Sequence, residues 1–97
     1  MASEATFAWD PRKDGVNYKK HGVRFETAQK AFLDSRRVIA VDAKHSTREE
    51  RRMFCYGKVD DRILTVRFVV RHGTIRIFGA GFWREGRRKY EEANDLH

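Results

Sequence analysis

The sequence predicts an α+β domain with two N-terminal helices, a four-stranded antiparallel sheet and a C-terminal helix. Three observations carry this expectation. A helix bracketed at both ends opens the chain. Compact β-branched runs separated by short polar turns fill its middle, and a charged helical stretch closes it. At 97 residues the chain has room for one core and is expected to form a single domain over 1–97.

Asp10 and Pro11 suit N-cap and N1, while Lys19, Lys20 and His21 place cationic or protonatable groups at the negative end of a helix dipole. Gly22 supplies the left-handed residue that stops the helix, so the first helix runs from Pro11 to about His21. Asn17 lies four residues before His21 on the same face, and the pair is read as locking the helix end against the sheet rather than as chemistry. Phe25, Ala28, Ala31 and Phe32 recur at helical spacing and give a second helix to about Asp34.

Val38–Val41 reads as the first strand, and the polar segment Asp42 to Glu50 as a turn, although Ser46 and Glu49 have capping-box spacing. Met53 to Val59 and Ile63 to Val70 pair as a hairpin across Asp60-Asp61-Arg62. Leu64, Val66, Phe68 and Val70 share one face, and Thr65 and Arg67 lie on a half-polar opposite face. His72-Gly73 turns the chain into a fourth strand, Thr74 to Ala80, with Ile75 and Ile77 on one side and Arg76, Phe78 and Ala80 on the other. Glu85 to Ala93 is the terminal helix, and Asn94 to His97 a polar tail expected to fray.

The net charge of +7 calls for an anionic partner. Arg71, Arg76, Arg84, Arg87, Arg88 and Lys89 face only Glu85 as a counter-charge, a pattern shared by nucleic-acid-binding surfaces and by solvated basic faces. Aromatics spread from Phe7 to Trp83 argue against disorder. No run approaches the about 18 apolar residues of a membrane span, and the start lacks a basic segment followed by an apolar one, so a cytoplasmic protein without membrane contact is expected. Cys55, alone, forms no intrachain disulfide and reads as a small buried hydrophobe. The histidines lack ligand spacing, so neither metal nor cofactor is expected.

These blocks together resemble the BrnT family of type II toxin-antitoxin toxins. The resemblance lies in Phe7-x-Trp9-Asp10 with Lys13, Asn17-x-x-Lys20-His21-Gly22-Val23-x-Phe25-Glu26, Ala28 and Phe32-x-Asp34. It continues in Asp42-x-x-His45-Ser46, Glu49-Glu50-Arg51, Gly57, Arg62-x-Leu64-x-Val66, Ile75-Arg76-Ile77, and Arg87 with Tyr90-Glu91-Glu92. It implies a RelE-like fold and a metal-independent endoribonuclease that blocks translation. It implies, too, a BrnA-like ribbon-helix-helix antitoxin as partner, operator DNA reached only through that antitoxin, and compatibility with a homodimer within the complex. One departure stands out. Many relatives end the last strand with Ser-Ala-Arg, whereas this chain reads Gly79-Ala80-Gly81, which fits either a rearranged site or a catalytically weakened module that still binds an antitoxin or nucleic acid.

Metal-free RNA cleavage needs a base for the 2′-hydroxyl, cationic donors for the developing phosphorane charge and an acid for the 5′-oxygen. Arg76 leads for phosphate stabilisation, with a cross-strand salt bridge as the alternative. Arg87 follows, and His45 suits acid or base chemistry because an unperturbed imidazole titrates at about 6.5, unless it is structural or merely an exposed loop histidine. Tyr90 could donate a proton or pack onto the sheet. Arg51, Arg62, Arg67 and Arg84 suit an RNA phosphate track, and Trp83 suits base stacking or anchoring of the terminal helix.

Overall fold

The computed structural model describes residues 5–96. Met1 to Glu4 and His97 lie outside them, so the expectations for the very start and the last tail residue fall partly there. Strand β1 (Thr6–Trp9) leads into α1 (Pro11–His21), then α2 (Phe25–Ala28), which continues as a 3-10 helix over Gln29–Leu33. Strands β2 (Val38–Val41), β3 (Met53–Val59), β4 (Arg62–Arg71) and β5 (Thr74–Gly81) precede α3 (Arg84–Ala93). The sheet is five-stranded and mixed, ordered β1-β5-β4-β3-β2. The expected four-stranded antiparallel sheet thus gains an edge strand, β1, lying parallel to β5 with Phe7 opposite Ile75 and Trp9 opposite Ile77. The second helix also departs from expectation, because its α-helical part is four residues long before the coil tightens to 3-10.

The α1 brackets fold as their chemistry dictates. Asp10 accepts a hydrogen bond from the Arg12 N–H, and Gly22, at φ 69°, donates to the Tyr18 carbonyl. Both hairpin turns use left-handed residues, Asp60 and Asp61 in one, His72 and Gly73 in the other, which matches the strand twist.

One face of the sheet is closed. Phe25, Ala28 and Ala31 pack with Cys55, Leu64, Val66, Phe68, Ile77 and Ala80, and Phe7, Trp9 and Phe32 join them from the rim. Close approach is possible because a side chain at Gly57 would collide with the Ala31 backbone. Cys55 is fully buried, and that burial pushes its thiol up to about 12, so it behaves as an apolar filler.

The other face is partly covered by α3. Gly86 sits directly over Thr65 and Tyr56, residues that alternate with the core-facing ones on β4 and β3. A β-bulge shifts the register of β4 and β5 so that Arg67 opposes Gly79 while Phe68 opposes Ile77. Phe78 is the extra residue. Ala80 therefore returns to the core instead of sharing a side with Arg76 and Phe78, which corrects the simple alternation expected for β5.

Candidate RNA-binding surface

The outer face mixes cations with aromatic rings, Arg52 and Arg67 lying beside Phe78 and near the Phe54–Tyr56 stack. Three grooves meet at Trp83, which precedes α3. The largest, about 660 Å³, lies between the β3–β4 turn and α3 and is lined by Lys58, Arg62, Phe82, Trp83, Arg84 and Arg87, among others. Arg62 stacks on the Phe82 ring, its guanidinium carbon 3.8 Å from the centroid. Asp61 and Glu91 also line this groove, and Arg87 is bonded to Glu91 at 3.3 Å. Glu85 is engaged by Arg88, which holds its carboxyl below the usual range and leaves Arg84 without an ion pair among the described residues.

The α3 helix is fixed by a buried phenol. Tyr90, 2% exposed, donates its hydroxyl to Asp34 Oδ2 at 2.6 Å. Burial and that hydrogen bond push Tyr90 up to about 12. Burial alone would raise Asp34, but hydrogen bonds from Tyr90 and from the Lys58 and Arg36 N–H groups outweigh it and set its carboxyl below the ordinary range.

Further along the outer face, Arg52 and Arg67 place their guanidinium carbons 4.9 and 5.0 Å from the Phe78 centroid. Phe54 and Tyr56 stack on each other with centroids 5.6 Å apart. Beyond β2, the loop to β3 is a set of side-chain-fastened turns. Ser46 donates to the Asp42 carbonyl and accepts from the Arg52 N–H, and Glu50 N–H donates to Thr47. Within it, Asp42 is buried and bonds the His45 ring through Nδ1 at 2.8 Å. That contact orients the imidazole and leaves Nε2 without a hydrogen-bond partner among the described residues, on a half-exposed ring.

Residues 9–86 match the model of a family described as "Ribonuclease toxin, BrnT, of type II toxin-antitoxin system". The chain belongs to the BrnT family. No curated protein matches it.

In this BrnT chain the folded structure gathers Arg62, Trp83, Arg84, Arg87 and Tyr90 along one groove. Tyr90 contributes there as an anchor, its hydroxyl engaged as a hydrogen-bond donor to Asp34, which favours packing over proton donation to RNA. Arg67 reaches Trp83 from a second groove, and Arg51 lies apart, in a separate groove with Glu50 and Arg71 that Trp83 does not line. Arg76 is half-buried on β5 opposite Val69 and Ala8, with no ion pair among the described residues, so the cross-strand salt bridge weighed for it does not form. His45 sits in the β2–β3 loop and lines neither groove at Arg62 or at Arg67.

The departure at Gly81 has a steric partner. A Cβ at Gly81 would fall 2.5 Å from Trp83 Cε2, so the absent side chain is what lets the indole lie against the strand end. From the sequence, Lys20 reads as a helix-dipole cation and Lys13 as part of the family blocks, and neither they nor Arg12 and Arg52 are assigned to RNA. Arg52 carried a signal, its place in the alternation just before β3, but the α1 residues become visible only when α1 is docked.

Proposed function

We propose that this protein is the ribonuclease toxin of a toxin-antitoxin pair, a single-domain endoribonuclease that cuts RNA without a metal and so inhibits translation. The groove at Arg62, Arg84 and Arg87 carries the reading. Its guanidinium forks suit phosphate oxygens, and Phe82 and Trp83 beside them suit an unstacked base, the combination single-stranded RNA requires. Cleavage then uses the substrate's own 2′-hydroxyl. The groove arginines stabilise the phosphorane charge while a base takes the 2′-hydroxyl proton and an acid protonates the departing 5′-oxygen; His45, held by Asp42 in the β2–β3 loop outside that groove, is the candidate for proton transfer and Arg76 for a further donor.

The antitoxin, a BrnA-like ribbon-helix-helix protein that alone contacts operator DNA, is assigned to a different surface. Ile39, Met53, Phe68 and Val70 form the apolar part of a groove of about 350 Å³ beside the outer strand β2, which Glu49, Glu50, Arg51 and Arg71 complete, and Ile39 and Val70 are 46% and 57% exposed. An exposed apolar edge of this kind suits a protein partner, or a second copy within the complex.

The test is cleavage of single-stranded RNA by purified protein in excess chelator. Cutting that His45→Ala slows strongly supports the reading. Intact RNA alongside a stable antitoxin complex would replace it with a binding module, a reading for which the Gly81–Trp83 rearrangement is the specific motive.

A further inference from the structure

Helix α1 first reads as architecture, yet one of its faces carries a second cationic surface. Lys13, Val16, Asn17 and Lys20 recur at helical spacing, with Arg12 and His21 beside them, and all six line a groove of about 390 Å³ against β5. Asn17 sets the rotation of that face. Its Nδ2 donates to the Val23 and Ala80 carbonyls at 2.9 Å, and its Oδ1 accepts from the Ala80 N–H at 3.1 Å, closing the edge of β5 beyond the last β1 pair. The α1 cations are therefore held over the sheet by a buried clamp.

The groove floor is formed by Arg67, Phe78 and Gly79, and Trp83 ends it. The bulge turns Phe78 outward, Gly79 leaves depth, and the His21 ring meets Trp83 edge-on at 5.1 Å. No Asp or Glu is among its lining residues. Arg12, Lys13, Lys20 and Arg67 make no ion pair among the described residues. Trp83 is shared with the larger groove at Arg62 and Arg84, so the two surfaces are continuous across one indole.

We infer that the α1 groove binds the phosphate backbone of single-stranded RNA flanking the segment held at Arg62 and Arg84, with a base stacked on Trp83 where the grooves meet. Cations interleaved with aromatic rings are the recognition chemistry of unpaired nucleic acid, and continuity with the first groove selects it over an acidic protein segment. The inference rests on RNA binding by this chain and not on cleavage.

The experiment is a fluorescence anisotropy titration with labelled 2′-O-methyl oligoribonucleotides, which bind without being cut. It compares four-nucleotide and about twelve-nucleotide probes over a range of salt, using the full chain and its Lys13→Ala/Lys20→Ala variant, with circular dichroism confirming the fold. The wild type is expected to hold the longer probe more tightly. The variant loses that gain, its log K against log salt slope falls by about 1.4, and the short probe is unaffected. Unchanged affinity and slope for the longer probe overturn the inference. Weakened poly-glutamate binding alongside unchanged RNA binding does so too, by assigning the groove to an acidic protein. A wild type that shows the length-dependent gain yet never cuts unmodified RNA sinks the ribonuclease reading and leaves this groove standing.

Discussion

The two faces of the sheet divide the work of the molecule. The inner face is dry and neutral, with Phe25, Leu64, Val66 and Ile77 wholly buried, and the side chains there answer to packing. The outer face has α3 as a partial cover; Arg52, Arg67 and Arg76 on that face, Arg84 at the start of α3 and Arg62 at the β3–β4 end of the sheet stand without ion pairs among the described residues. Substitutions on the first face should register as lost stability. Those on the second should register as lost RNA handling.

The largest expected break is Phe25→Ala, which leaves a cavity at the centre of the inner face and should cost about 3–5 kcal/mol in chemical denaturation, with RNA affinity per folded molecule unchanged. Asn17→Ala follows. It leaves the Ala80 N–H and the Val23 and Ala80 carbonyls without their buried partner, at about 1–3 kcal/mol, and also frees the α1 face. This variant should therefore lose both stability and the length-dependent part of RNA binding, joining what the other substitutions separate.

A smaller effect tests the seat of α3. Tyr90→Phe removes the hydroxyl given to Asp34 and should cost about 1 kcal/mol near neutral pH. Its pH dependence carries the sign. Asp34 is depressed in the fold, so its contribution is present above the unfolded value of about 3.9 and fades as pH falls through the folded value. Tyr90 is raised to about 12, so its contribution is present below about 10 and fades as pH rises from there. Denaturation across pH should show wild type and variant converging at both ends. Parallel curves would mean the pair does not set the helix.

What was legible in the sequence follows the same division of local from distant. The α1 brackets, both hairpins and the polar turn from Asp42 to Glu50 rest on neighbours a few residues apart and formed as expected, save that Arg62 opens β4 instead of belonging to the turn. The strand β1 was not legible. It is four residues long at an edge, and its partner β5 lies far along the chain, in parallel, with no turn to announce the pairing. The bulge at Phe78 was equally hidden, since alternation alone predicts no extra residue. Arg62, Trp83, Arg84 and Arg87 could be chosen by type and sequence region. The α1 cations could not, because what turns them toward the sheet is a side-chain contact spanning 63 positions.

The measurement that tests the division most directly is single-turnover RNA cleavage in chelator by the Arg62→Ala/Arg84→Ala variant, with its melting temperature taken in parallel. Cleavage should fall by orders of magnitude while the melting temperature stays within about 4 °C of the wild type, the range for surface changes in a domain of this size. Cleavage at the wild-type rate, or a melting temperature that collapses with the activity, would contradict the division.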